Sequence, residues 1–261
     1  MKKLATMTIA AAALALFAGN ASADMQKVRI GTEGAYPPFN SIDSEGNLVG
    51  FDVDIAKAVC EAANFDCEFV VQDWDGIIPG LLAKKYDAIV ASMSITPERE
   101  EVVDFTNKYY NTPAKFVAAD DADFDISPEG LAGKSIGVQR ATIHENFLRD
   151  NFPEADIRVY ATQDEANADL VAGRLDLVMA DSVALSDGFL KTDMGKGFAF
   201  IGPDYSEPKW HGKGVGIAIR KGEDELREAF NAAIKQIRED GTYEEIQSKY
   251  FDFDVYGKPT S

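Results

Sequence analysis

Histidine, cysteine and positive charge are all scarce in this 261-residue chain, and each shortage excludes something. His144 and His211 are its two histidines and Cys60 and Cys67 its two cysteines, without the spacing of a zinc-ligand set, so no metal centre is expected. Lys and Arg number 26 against 44 Asp and Glu, for a net charge of −18. DNA, RNA and anionic lipid surfaces all need clustered positive charge, so none of them is an expected partner. A glycine-rich phosphate loop and a nucleophile–base pair are also missing, which leaves no catalytic residues to nominate and no cofactor to hold. The apolar run from Leu4 to about Phe17 is shorter than the ~20 residues that span a bilayer, and no second stop-transfer pattern follows it.

That short run has the flanks of an export signal. Lys2 and Lys3 precede it, and Ala21-Ser22-Ala23 supplies the small residues a signal peptidase requires, so 1–23 is expected to be a signal peptide cleaved after Ala23. No cysteine stands at that site to make a lipoprotein. The remaining 238 residues carry 24 Lys and Arg against 44 Asp and Glu, a net charge of −20 that suits a soluble monomer. An exported chain folds where disulfides form. Cys60 and Cys67, with six residues between them, are therefore expected to pair, tying the end of a helix to the start of a strand.

Short apolar strands alternate with amphipathic helices. The pattern predicts a strand at Val28 to Ile30, a helix over Asp52 to Ala63, a strand at Cys67 to Val71, a helix from Ile77 to Lys84 and a strand from Asp87 to Ala91. This is a βαβαβ unit, the mark of a mostly parallel sheet covered by helices. After the loop Asp120 to Gly133 a second unit begins, with strands at Ser135 to Val138, Ile157 to Tyr160 and Leu175 to Ala180. Its helices are expected over Thr142 to Asn151 and Gln163 to Ala172. A late strand, Gly214 to Arg220, precedes helices over Glu223 to Arg238 and Tyr243 to Tyr250. Its return to the first unit would make two crossings, near Asn111 to Pro113 and Asp204 to Pro208.

Open α/β sheets bind ligands at the carboxyl ends of their strands, so those ends hold the candidate residues. The first strand leads into Glu33, Tyr36 and Phe39, on a loop stiffened by Pro37 and Pro38. The next leads to Trp74, and the third to Ala91, Ser92, Ser94 and Arg99. In the second unit, VQRATIH brings Gln139, Thr142, Ile143 and His144 to a strand end, and MADS brings Asp181. A lone exposed arginine or loop aromatic means little. Their coincidence at equivalent strand ends is the signal.

The stretches GTEGAYPPF, GFDVDIA, YDAIVASMSITPEREEVVDFTNKYY, KSIGVQR, GRLDLVMAD and DGTYEEIQSKYF resemble the periplasmic polar amino-acid-binding proteins of ABC uptake systems, in particular the lysine/arginine/ornithine- and histidine-binding branch. The resemblance runs from Lys27 to Tyr256. It implies a type II periplasmic-binding-protein fold, two α/β lobes joined by two hinge crossings. Lobe 1 would be 24–111 plus 209–261 and lobe 2 would be 112–208. The partners implied are a free amino acid and an inner-membrane ABC permease. Arg99 would then hold the ligand α-carboxylate, helped by Ser94, Thr142 and backbone N–H groups near Ser92 and Ile143. Asp181 would take the α-ammonium, Tyr36 and Trp74 would sandwich the side chain, and Glu33 would approach its far end.

Charge matching leads to the same place. A zwitterion stripped of water needs a partner for each charge, and Arg99 with Asp181 is the minimal pair. Glu33 is then surplus negative charge, suited to a cationic tail, and aromatic faces favour such a tail through cation–π attraction. Arginine, lysine or ornithine is the expected ligand. The chain departs from the branch at Ala91, where lysine-binding relatives carry a hydroxyl, at Ala141 in place of glycine and at His144 in place of glutamine. Histidine, glutamine, cystine or an opine is the alternative, and a cyclohexadienyl dehydratase-like enzyme the rival of another class. The short polar tail ending at Ser261 suits a free-standing binding protein better than a receptor module.

Overall fold

The computed structural model describes residues 25–257, so the expected signal peptide and its cleavage after Ala23 lie outside the described residues. The chain opens with β1 (Gln26–Thr32), then β2 (Ala35–Tyr36), β3 (Asn40–Ile42) and β4 (Leu48–Val49), a small antiparallel sheet. Next come α1 (Phe51–Ala62), β5 (Phe65–Val71), α2 (Ile77–Leu82), β6 (Ala88–Ile89), α3 (Pro97–Glu100) and β7 (Val103–Phe105). A second series follows: β8 (Ala114–Ala119), β9 (Ser135–Gln139), α4 (Ile143–Asn151), β10 (Asp156–Tyr160), α5 (Gln163–Val171), β11 (Leu177–Asp181), α6 (Ser182–Leu185) and β12 (Phe198–Tyr205). The chain then returns through α7 (Pro208–His211) to β13 (Ala218–Arg220), α8 (Asp224–Glu239) and α9 (Thr242–Tyr250).

Among the described residues these strands form two five-stranded sheets, ordered β5-β1-β6-β13-β7 and β10-β9-β11-β8-β12. The first three strands of each are parallel, and β13 and β8 run against their neighbours. Two α/β lobes therefore share one plan, with two passages of chain between them. The periodicity behind this is plain in α8, where Phe230, Ala233, Ile234 and Ile237 are buried at helical spacing. It is equally plain in β9, which is buried along its whole length, as a strand covered on both faces should be.

Sequence periodicity misses β8 and β12, which pair antiparallel at one edge of the second sheet. Gly202 and Pro203 interrupt the alternation in β12, and the register slips between Ile201 and Tyr205. The strand expected over Gly214 to Arg220 is shorter than its pattern. Val215 instead makes isolated bridges to Ser94 and Tyr110, pinning the return passage beside the outgoing one.

Each lobe has its own aromatic core, with Phe39 stacked on Tyr110 at 4.7 Å between centroids in the first and Phe147 against Tyr205 at 4.9 Å in the second. One buried charge in the first core has a positioning task. The Asp52 carboxylate accepts from the Tyr109 hydroxyl at 2.7 Å and the Asn40 amide at 3.0 Å, and Asn40 Oδ1 in turn accepts from the Gly34 N–H at 2.8 Å. Burial pushes Asp52 up to about 6 against those bonds, and the chain they form anchors the loop that carries Glu33 and Tyr36.

Cys60 on α1 and Cys67 on β5 are joined in a disulfide, their Cα atoms 6.2 Å apart. Closing so short a loop in the unfolded chain is worth ~2–3 kcal/mol by chain entropy. Urea unfolding of the Cys60→Ser/Cys67→Ser double variant should show that loss, and an unchanged midpoint would count against it.

Candidate functional site

The carboxyl ends of the two parallel strand sets face each other across one cleft, as the topology requires. Of the candidate residues expected from sequence, Phe39 is instead buried in the first lobe's core against Tyr110, and all the others line the cleft, around ≈ 570 Å³ of space counted out to the mouth. From the first lobe come Glu33 and Tyr36 after β1, Trp74 after β5, and Ala91, Ser92, Ser94 and Arg99 after β6. The second lobe brings Gln139, Thr142, Ile143 and His144 after β9, and Asp181 at the end of β11.

Local sequence explains how Arg99 is held. Pro97 opens α3, and the Thr96 hydroxyl caps it by accepting the Arg99 N–H at 3.3 Å. The guanidinium donates to the Ser94 carbonyl at 3.0 Å and lies over the Trp74 ring, 5.2 Å from its centroid. Burial lowers Arg99 to about 10, partly opposed by Glu98, so it stays charged at neutral pH. Ser92 has a left-handed backbone, φ 55°, and its hydroxyl meets that of Tyr110.

Both acids of the cleft are displaced upward. Burial pushes Glu33, 7% exposed, to about 7, and the charges of Asp73, Asp164 and Asp75 add to a shift that a hydrogen bond from Gln139 only partly offsets. Asp181 caps α6, accepting from the Val183 and Ala184 N–H groups at 2.8 and 3.2 Å, and it also accepts from the Thr112 hydroxyl. Even so, burial raises it to about 6. Two carboxylates face one guanidinium.

Several contacts bridge the cleft. Gln139 Nε2 donates to Glu33 at 2.5 Å, the Trp74 indole N–H to the Ala141 carbonyl at 3.0 Å, and the Asp181 N–H to the Tyr36 hydroxyl at 3.2 Å. Nearer the surface, Arg140 reaches Asp75 at 2.5 Å and Asn146 reaches Glu98 at 3.0 Å. The Thr142 hydroxyl caps α4 and donates to the Gln139 carbonyl at 2.7 Å, so its proton is already engaged within the lobe.

Residues 28–253 match the family described as bacterial extracellular solute-binding proteins, family 3. The chain belongs to this family. An L-arginine-binding protein of Pseudomonas aeruginosa is 52% identical over 98% of this chain and 99% of its own length. A histidine-binding periplasmic protein of Escherichia coli is 45% identical over 89% and 90% of the two. A solved Salmonella typhimurium periplasmic binding protein, described as the structural basis for high arginine specificity, superposes with a TM-score of 0.80 at 34% identity, covering 87% of this chain and 99% of that one.

Within this family-3 cleft, sequence reasoning missed Asn111, Thr112, His211 and Val215. All belong to the passages between lobes or lie just beyond them, where no strand end points to them. Thr112 is legible only as the partner of Asp181, and the two are 69 residues apart. Among the described residues no group of three or more Cys, His, Asp or Glu could hold a metal ion.

One departure from the branch has a visible backbone consequence. Ala141 has φ 59°, the left-handed region that a β-carbon disfavours by ~1–2 kcal/mol. Ala141→Gly should therefore raise stability by ~0.5–1 kcal/mol, after the unfolded-state entropy of glycine is deducted. A lowered melting temperature for that variant would contradict the argument.

Proposed function

We propose that this protein is exported to the periplasm, captures a free basic amino acid between its closing lobes, and presents it as a monomer to an inner-membrane ABC permease. The observation that carries the reading is charge arithmetic inside the cleft. Glu33 and Asp181 against Arg99 leave one surplus negative charge when ionised, and burial makes both neighbouring histidines poor carriers of positive charge. Arginine, lysine and ornithine each bring one surplus positive charge. A neutral amino acid would leave a carboxylate buried without a partner.

In this reading Arg99 grips the α-carboxylate with its planar fork, supported by Ser94, by the cap residue Thr142 and by N–H groups near Ser92 and Ile143. Asp181 takes the α-ammonium. The tail lies between Tyr36 and Trp74, past Ala91, toward Glu33 and Gln139. The lobes are 24–111 plus 209–261 and 112–208, a division supported by the sheet membership of their strands. The protein binds and does not catalyse: its buried acids are placed to pair with charge.

A thermal-shift screen of arginine, lysine, ornithine, histidine, glutamine, cystine and octopine tests this. A ligand at a hundred times its Kd adds ~2.7 kcal/mol of stability, so the three basic amino acids should give the largest shifts. Glutamine or cystine outperforming all three would refute the basic ligand while leaving amino-acid binding intact.

A further inference from the structure

The chain's two histidines meet at one end of the cleft. His144 stands in the first turn of α4 and His211 ends α7 in the return passage. Their ring centroids are 6.2 Å apart and their planes tilted by 45°. Both are more than nine-tenths buried, at 8% and 7% exposure. His144 Nδ1 and both ring nitrogens of His211 lack a hydrogen-bond partner among the described residues. Glu207 comes within 3.4 Å of His211 Nδ1, but from a direction that makes no hydrogen bond. The other close neighbour of His211 is the Phe147 ring, 5.1 Å away, which packs against an imidazole without satisfying its nitrogens.

Buried polar groups are nearly always paired, and leaving several unpaired in one place points to a partner from outside the chain. What that partner is follows from the surroundings. The charge of Arg99 acts on His144, and burial, His211 and Arg99 together lower His144 to about 3. The imidazoles are therefore neutral, and each can donate one N–H. Donors that share a cleft with Arg99, one of them within reach of its charge in a helix's first turn, suit an anion with several lone pairs.

We infer that His144 and His211 form a specificity pair for the ligand's α-carboxylate, donating N–H bonds to carboxylate lone pairs that the Arg99 fork leaves open. The pair would make the cleft reject amino-acid amides. This rests on the reading of Arg99 as the carboxylate's grip, so its test must separate the two.

Calorimetry with L-arginine and L-argininamide does so. Wild type should prefer arginine by about a hundredfold or more. His144→Leu and His211→Leu should each cut that preference about tenfold, through arginine and not the amide, and His144→Gln, which restores an N–H donor, should recover most of it. A wild type that binds both ligands alike overturns the Arg99 reading and the pair with it. A wild type that discriminates while the leucine variants keep its full preference, or lose both ligands equally, overturns the pair alone. A second readout needs no variant: with two histidines in the chain, ring-15N spectra of labelled wild type are directly interpretable. Arginine should shift both imidazoles in a way argininamide does not, and identical spectra with the two ligands would overturn the inference.

Discussion

Arg99→Ala is expected to weaken arginine binding by about a hundredfold or more, ~3 kcal/mol, the range for truncating one partner of a buried, hydrogen-bonded charge pair. Much of that loss comes from the ligand carboxylate, which would enter a dry cleft with its principal counter-charge gone. Arg99→Lys restores the charge but not the fork, and it loses the flat contact with Trp74, so it should recover only part of the affinity. These variants should stay folded, because Arg99 belongs to a short helix that buries no residue in the core, and among the described residues its side chain hydrogen-bonds the Ser94 carbonyl alone. Calorimetric affinity near wild type for Arg99→Ala would remove it from the carboxylate site.

The second large effect is on pH dependence and selectivity together. Burial raises Glu33 to about 7 and Asp181 to about 6. A cation beside either group favours its ionised form, so binding and protonation compete. Affinity for arginine should be full above about pH 8, then fall as pH drops through the Glu33 value and more steeply below the Asp181 value. Each unit of pKa displaced by the ligand is worth ~1.4 kcal/mol, so the fall should exceed tenfold by pH 5. Glu33→Gln removes the upper step, moving the onset down by about a unit. The same change should shrink the preference for arginine over glutamine, since the tail's charge loses its partner while the aromatic walls still accept a neutral chain. Affinity that stays flat from pH 8 to 5 in wild type would defeat the argument.

The sequence made the cleft legible because an α/β fold turns a one-dimensional rule into a place. Strand ends converge, so Glu33, Trp74, Arg99 and Asp181 could be gathered from their positions alone, and the quoted stretches supplied their expected roles. The passages between lobes follow no such rule. Thr112 gains meaning from Asp181, and His211 from His144, through pairings that neither periodicity nor local motif encodes. The antiparallel edge of β8 and β12 escaped for a related reason. An acidic stretch follows one, a Gly-Pro break interrupts the other, and pairing across that distance holds them together.

The bonds that span the cleft also set a clock. A captured molecule leaves only after Gln139 parts from Glu33, Trp74 from Ala141 and Asp181 from Tyr36, so its residence time is the waiting time for the lobes to swing apart. Arg140–Asp75 and Asn146–Glu98 lie in solvent at the lip and hold weakly, so salt should loosen the first of them without touching the deeper bonds. Release can then be hastened from outside, by any surface that pulls the two lips apart.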